Sequence, residues 1–255
     1  MAPLVTLTRS GQIATLTLNR PDLRNALSEP MLREMLARLA EAQSMCAGSD
    51  GPRVMVVRGE GKAFCAGMDL KSVVSGQSDI LSTTTRLAEA AMALRALPIP
   101  VISEACGAAI GGGCGLACVA DFILTHDDAK LGFPEVDLGA CPAVVAPWVI
   151  RRLGHAKARH ILMRGGLMSG TEAAAIGLVT RSLPTREAVT AEAASLCATL
   201  VKAGPMAMAA TKRLLNELDG SLDRDLARRA AELSAKVFSS PEAQERIRAR
   251  MAAGG

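Results

Sequence analysis

"IGGGCGLACVAD", Ile110 to Asp121, places three consecutive glycines and a fourth, Gly115, at the head of an apolar stretch with helical character. A glycine inside a helix costs on the order of 1 kcal/mol relative to alanine, so Gly111, Gly112, Gly113 and Gly115 need a reason. Either the backbone comes close to a ligand there, or the segment is a turn. The run follows a buried strand, "VISEA" (101 to 105), and precedes another, "DFILTH" (121 to 126). Strand, glycine junction, helix and strand in succession spell an α/β layer architecture.

Working towards the N-terminus, "LVTLTRSGQIATLTLN" alternates apolar and polar residues on both sides of Ser10-Gly11, which predicts a hairpin. A loop, "RPDLRNAL", follows. Ser28 as N-cap, Pro30 in the first turn and a stripe of Met31, Leu32, Met35, Leu36 and Leu39 predict a helix to about Cys46. "RVMVVRG" (53 to 59) reads as a buried strand ended by the glycine-rich "GEGKAFCAGMD", and a helix is expected from Ile80 to Ala96, stopped by Pro98 and Pro100. Towards the C-terminus, "AKLGFPEVDLG" reads as a short strand breaking into a loop. Helices are then expected at 144 to 153, 156 to 164, 170 to 176, 186 to 203, 205 to 218, 222 to 238 and 241 to 252, with one strand near "LVTRSL". The division this predicts is a core over 1–195 and a helical region over 196–255. The Ala-, Leu- and Met-rich faces of that region suit either an oligomer interface or packing on the chain's own core.

Composition narrows the function classes. Hydrophobic residues make up 49% and charged residues 21%, and no apolar run approaches the roughly 20 residues of a membrane span. The stretch "MAPLVTLTRSGQ" has no signal or transit pattern, so a cytoplasmic protein is expected. A net charge of +4 with 2% aromatics and no tyrosine argues against nucleic acid as a partner. Seven scattered cysteines read as buried thiols. Cys114 and Cys118 have helical spacing but no second pair and no nearby histidine, so no metal site is expected.

Two glycine-rich junctions, "GKAFCAGMDLK" (61 to 71) and "GAAIGGGCGLA" (107 to 117), can turn unpaired backbone N–H groups into a cleft and hold an oxyanion without side chains. Neither is a phosphate loop. No G-x-G-x-x-G occurs in the second, and Gly61-Lys62 is followed by Ala63 where a P-loop has Ser or Thr. No G-x-S-x-G supplies a serine nucleophile. Glu135, in "LGFPEVDLG", stands among Phe133, Pro134, Val136 and Leu138. Desolvation there would raise its pKa and suit it to proton transfer, the alternative being an exposed loop carboxylate.

"LTLNRPDLRNAL", "VMVVRGEGKAFCAGMDLK", "PIPVISEACGAAIGGGCGLACVADF", "AKLGFPEVDLGACPA" and "GLVTRSLP", in that order over residues 4 to 185, resemble the crotonase family of enoyl-CoA hydratases and isomerases. The resemblance implies a spiral of ββα units with a C-terminal helical trimerisation region, assembled as a homotrimer or a dimer of trimers. It implies an acyl-CoA thioester as substrate, with coenzyme A entering as part of that substrate and no separate cofactor. Carried over by motif, the carbonyl oxygen would be held by the N–H groups of Met68 and Gly112, with Glu135 as acid/base. Arg24, Ala26, Leu27, Ala66, Asp69, Leu70, Gly111 and Pro134 would surround the CoA thioester, with Lys62 and Lys71 at its phosphates.

One position departs from the pattern. Family hydratases commonly carry a second glutamate directly after "GGGC", where this chain has Gly115. Overall resemblance favours hydration. A single carboxylate fits a 3-enoyl to 2-enoyl isomerase, and an acyl-CoA binder of little or no activity is the third reading. "GGGCGL" with "LGACPAVVAPWVIRRLG" is also similar to bacterial methylglutaconyl-CoA-type hydratases, in which a small residue occupies this position. Asp137 is a candidate replacement carboxylate. Pocket walls are expected from a 72 to 90 helix and the 139 to 150 loop, with Val145 and Trp148 either lining the pocket or packing in the core.

Overall fold

Pairing of Ser10 with Ile13 closes the predicted hairpin, in which β1 (Val5–Ser10) and β2 (Ile13–Leu18) run antiparallel before α1 (Glu29–Cys46). The computed structural model describes residues 2–48, 50–77 and 79–253. The same grammar then repeats. β3 (Val54–Gly59) leads through the 60–69 loop to α2 (Leu70–Val74) and α3 (Ile80–Ala96); β4 (Val101–Glu104) and β5 (Ala108–Ile110) lead to α4 (Gly112–Val119). β6 (Phe122–His126) and β7 (Lys130–Gly132) lead to α5 (Ala146–Arg164), and β8 (Leu167–Ser169), α6 (Gly170–Ile176) and β9 (Arg181–Leu183) complete the core. The helical C-terminal region is α7 (Arg186–Leu200), α8 (Pro205–Leu218), α9 (Arg224–Phe238) and α10 (Pro241–Ala252).

Each two-strand unit splits its strands between two sheets, which makes the chain spiral. The first strands build a six-stranded sheet in the order β1-β2-β3-β4-β6-β9, parallel from β2 onward. The second strands build a small sheet, β5-β7-β8, continued by single bridges from Ala109 to Cys65 and from Met68 to Leu27. A parallel sheet is covered on both faces, and β3 shows it in sequence. Met55 and Val57 join the main core with α1 and α3, while Val54 and Val56 pack with Val189, Ala193 and Cys197 of α7.

One expectation needs correction. The 72 to 90 segment is not one helix: α2 ends at Val74, and α3 starts afresh where the Asp79 carboxylate caps the Ser82 amide. The two helices expected at 144 to 153 and 156 to 164 are found as the two parts of α5, on either side of the non-helical Gly154 at φ 70° and ψ 169°. The three-residue strands β5 and β8 carry no alternation from which to read them. α9 packs along α3, and α10 packs on α2 and on the 3-10 turn Val136–Leu138. Among the described residues no single helix is long and apolar enough to cross a membrane.

Candidate active site

Two backbone amides meet where the spiral brings its glycine junctions together. The Leu27 N–H donates to Gly67 O at 2.7 Å, and the Asp69 N–H donates to Leu27 O at 2.9 Å. That parallel bridge turns the intervening Met68 N–H to the opposite side. On that side the Ile110 N–H donates to Cys65 O at 3.0 Å, so the chain at 65–68 lies between Leu27 and the end of β5. Gly112 is the first residue of α4, and its N–H points out of the helix start. Neither the Met68 N–H nor the Gly112 N–H has an acceptor among the described residues, and both residues line a cavity of about 650 Å³.

Glu135 completes the group. The Gly111 N–H donates to Gly132 O at 2.8 Å, a β5–β7 contact that carries the following Phe133, Pro134 and Glu135 back over the glycine run. A Cβ at Gly111 would stand 2.9 Å from Glu135 Oε1. Glu135 is only 7% exposed, and its Oε2 has no hydrogen-bond partner among the described residues. Burial pushes its pKa above the ordinary 4.5 to about 7; its own amide pulls the value back, and the Asp137 charge adds to the rise. An unpartnered carboxylate poised near neutrality beside two free amides can move a proton while the amides hold a developing oxyanion.

Of the other residues expected around the thioester, Ala66, Leu70, Gly111 and Pro134 line the cavity. Leu27 lies behind it, with Cδ1 3.3 Å from where a Cβ at Gly112 would stand. Ala26 is half-buried outside the lining, and Arg24, Lys62 and Lys71 are exposed. Asp69 is committed elsewhere. Its carboxylate accepts from Arg20 Nη1 at 2.7 Å and from the Ser72 N–H at 3.3 Å. Burial opposes ionisation there, but those partners outweigh it and hold the carboxyl below its ordinary range.

At Gly115, where the resemblance leads one to expect a second glutamate, Val145 takes the neighbouring space. A Cβ at Gly115 would stand 2.6 Å from Val145 Cβ and closer still to its Cγ1. Val145 lines the cavity and Gly115 does not. Asp137 is exposed and accepts the Gly166 N–H at 2.8 Å, so its carboxylate anchors the turn before β8. Trp148 packs in the core beneath Arg151, whose guanidinium sits 5.0 Å over the ring.

Several contributors escaped the sequence reading. Phe238 of α9 and Arg246, Ala249 and Arg250 of α10 line the cavity, so the helical region walls the site of its own chain. Asn25 is 0% exposed with φ 55°, and its side chain ties three segments together. Oδ1 accepts the Arg20 N–H at 2.8 Å, and Nδ2 donates to Glu60 O at 3.0 Å and Ala63 O at 2.8 Å. The available signal was asparagine's tolerance of left-handed backbone in the "RNAL" loop.

The family follows from a match to the whole arrangement. A family model described as enoyl-CoA hydratase/isomerase covers residues 8–253. The chain belongs to the enoyl-CoA hydratase/isomerase family. A Bacillus subtilis relative, named a probable enoyl-CoA hydratase, is 33% identical over 245 residues, covering 93% of this chain and 91% of that protein. The crystal structure of an enoyl-CoA hydratase from Mycobacterium avium superposes with a TM-score of 0.85 at 28% identity, covering 99% and 98% of the two chains. That of Pseudomonas aeruginosa OdaA gives 0.83 at 31%, covering 98% and 99%. The crotonase fold expected from the motifs is therefore the fold observed, and a member of this family is an enzyme of crotonase-type acyl-CoA chemistry.

Proposed function

We propose that this enzyme moves a double bond along an acyl-CoA chain, from 3-enoyl to 2-enoyl, with Glu135 as its single acid/base. The observation that carries the reading is Val145 in the space that a side chain at Gly115 would need, which leaves Glu135 alone beside the two amides. In the reaction the thioester oxygen accepts from the Met68 and Gly112 N–H groups. The Glu135 carboxylate takes a proton from C2, and the C2–H electron pair enters a dienolate with the negative charge on the held oxygen. Glu135 returns the proton to C4 and the double bond settles between C2 and C3, so nothing is added or lost. A pKa of about 7 suits the group to both halves of the transfer. Two aligned donors stabilise the dienolate, each worth about 3 to 4 kcal/mol in comparable sites.

On this reading Arg24, Ala26, Leu27 and Asp69 border the CoA moiety, with Lys62 and Lys71 at its phosphates, and the reaction needs no separate cofactor. The exposed apolar residues of α8, among them Met206 at 83% and Leu218 at 76%, suit burial against further copies of the chain, in a homotrimer or a dimer of trimers, and the proposed setting is the cytoplasm. Light scattering of the purified protein tests the assembly.

Hydration is the second reading, favoured by relatives named as hydratases. Assaying a 3-enoyl-CoA, crotonyl-CoA and 3-methylglutaconyl-CoA separates the possibilities. Turnover of the 3-enoyl thioester in excess of the others supports isomerisation, preference for either of the other two supports hydration, and binding without turnover makes the chain a silent binder.

A further inference from the structure

We infer that Val145 is the specificity-determining residue that commits this site to moving a proton and keeps water from adding to the substrate. The inference rests on the single-carboxylate reading above and extends it to a residue outside the acid/base and the oxyanion donors.

Gly111 caps the start of α4 at φ 54° and ψ −123°, outside helical geometry, and Gly115 lies four residues on, inside the helix. The Gly111 position faces the Glu135 carboxylate, and the Gly115 position faces Val145. Glu135 and Val145 therefore pack on the same glycine run, and both line the cavity. A carboxylate growing from 115 would have to pass through the cavity wall to share a water with Glu135. Val145 stands in that place.

The valine cannot easily step aside. It is 4% exposed, its N–H donates to Pro142 O at 3.2 Å, and its carbonyl accepts the Trp148 N–H at 3.1 Å and the Val149 N–H at 3.2 Å as α5 begins. The other hydroxyl and carboxylate groups of the lining are already engaged. Thr84 Oγ1 donates to Ala231 O at 3.1 Å, Ser234 Oγ to Cys141 O at 2.9 Å, and Asp137 holds the Gly166 amide. A held water needs two to four polar partners, and once the thioester oxygen has taken the Met68 and Gly112 amides, the unpartnered oxygen of Glu135 is left with the apolar wall that Val145 supplies. Proton transfer between C2 and C4 needs no water, whereas addition across the double bond does.

The test compares the wild type with Val145→Ala, Gly115→Glu and the double variant Gly115→Glu/Val145→Gly, in which no Cβ is left at 145 to collide with one at 115, measuring hydration of crotonyl-CoA against isomerisation of a 3-enoyl-CoA. Gly115→Glu alone is expected to lower Tm and leave the ratio of the two rates unchanged, because the new side chain collides with Val145. The double variant is expected to raise that ratio by on the order of 100-fold. A folded double variant with an unchanged ratio overturns the inference, as does a Gly115→Glu protein that gains hydration equally without the valine change. Isomerisation in D2O decides the matter even where position 115 variants do not fold. Wild type should return mostly the original hydrogen to C4, and Val145→Ala should incorporate several times more deuterium there. Equal incorporation in both, or complete exchange in the wild type, overturns the role of Val145. Absence of wild-type isomerase activity would instead remove the functional reading itself.

Discussion

The Glu135 carboxylate lies against the α-carbon of Gly111, leaving 2.9 Å between Oε1 and the place a Cβ would take. Gly111 also sits at φ 54° and ψ −123°, a backbone state that residues with a side chain rarely adopt. Gly111→Ala therefore strains the turn and displaces the acid/base in one step. The expected result is a fall in kcat of on the order of 100-fold, since misplacement by about 1 Å costs that much. A stability loss of about 1 to 3 kcal/mol should accompany it. Steady-state kinetics and a thermal melt measure the two.

Glu135 links rate and stability to pH in opposite senses. As a base it must be ionised, so kcat/KM, which reports the free enzyme, should rise with pH through a midpoint near 7. For stability, the folded-state value of about 7 lies above the ordinary 4.5, so the folded protein binds the proton more tightly than the unfolded chain. That contribution is fully present below pH 4.5, falls between 4.5 and 7, and is gone above 7. The difference amounts to about 3 kcal/mol. Glu135→Gln should abolish turnover, keep CoA-ester binding and flatten this part of the stability profile. A variant active at wild-type rates would remove Glu135 from the mechanism.

Asp137 offers a contrast, because a carboxylate close in sequence to the acid/base is occupied with structure. With its Oδ2 on the Gly166 amide in a solvent-exposed bond, Asp137→Ala should cost about 0.5 to 1 kcal/mol of stability, water replacing the carboxylate at that donor. Turnover at saturating substrate is expected to stay within about tenfold of wild type, whereas loss of a group acting in proton transfer costs about 100-fold or more. A loss of the larger size would restore Asp137 as a second carboxylate.

Asn25 holds the oxyanion loop from behind. Its amide carries bonds to the 60–63 turn that precedes Ala66 and Met68, and the Ala66 N–H donates to Arg24 O next door at 2.9 Å. Asn25→Ala leaves the buried Ala63 carbonyl, the Glu60 carbonyl and the Arg20 amide without their partner, and loses a residue suited to φ 55°. A destabilisation of about 3 kcal/mol is expected, read as a drop in denaturant midpoint. A change below about 0.5 kcal/mol, the ordinary range for surface positions, would refute that role.

Much of this was legible from residue order because each piece has a local cause. The apolar stripe of α1, the continuous apolar run of β3 and the proline stop after α3 identify themselves, and the glycine junctions announce exposed amides. What stayed hidden depends on contacts between distant segments. β5 is three residues long and gains its partners from β7 and Cys65, which no alternation in "AAI" can reveal. The break between α2 and α3 depends on where Asp79 turns its carboxylate. Gly115 could be read as a missing carboxylate, but its packing partner lies thirty residues along in an apolar loop, and only the folded chain brings Val145 to it.

The walls supplied by α10 tie occupancy of the cavity to the end of the chain. Arg246, Ala249 and Arg250 border the same space as Met68 and Gly112, so a ligand that fills the cavity would meet a helix that follows the core in sequence. Any ligand that favours the docked helix must, by linkage, be favoured by it in return. Acyl-CoA then acts as a clasp, slowing proteolytic trimming and hydrogen exchange in α10.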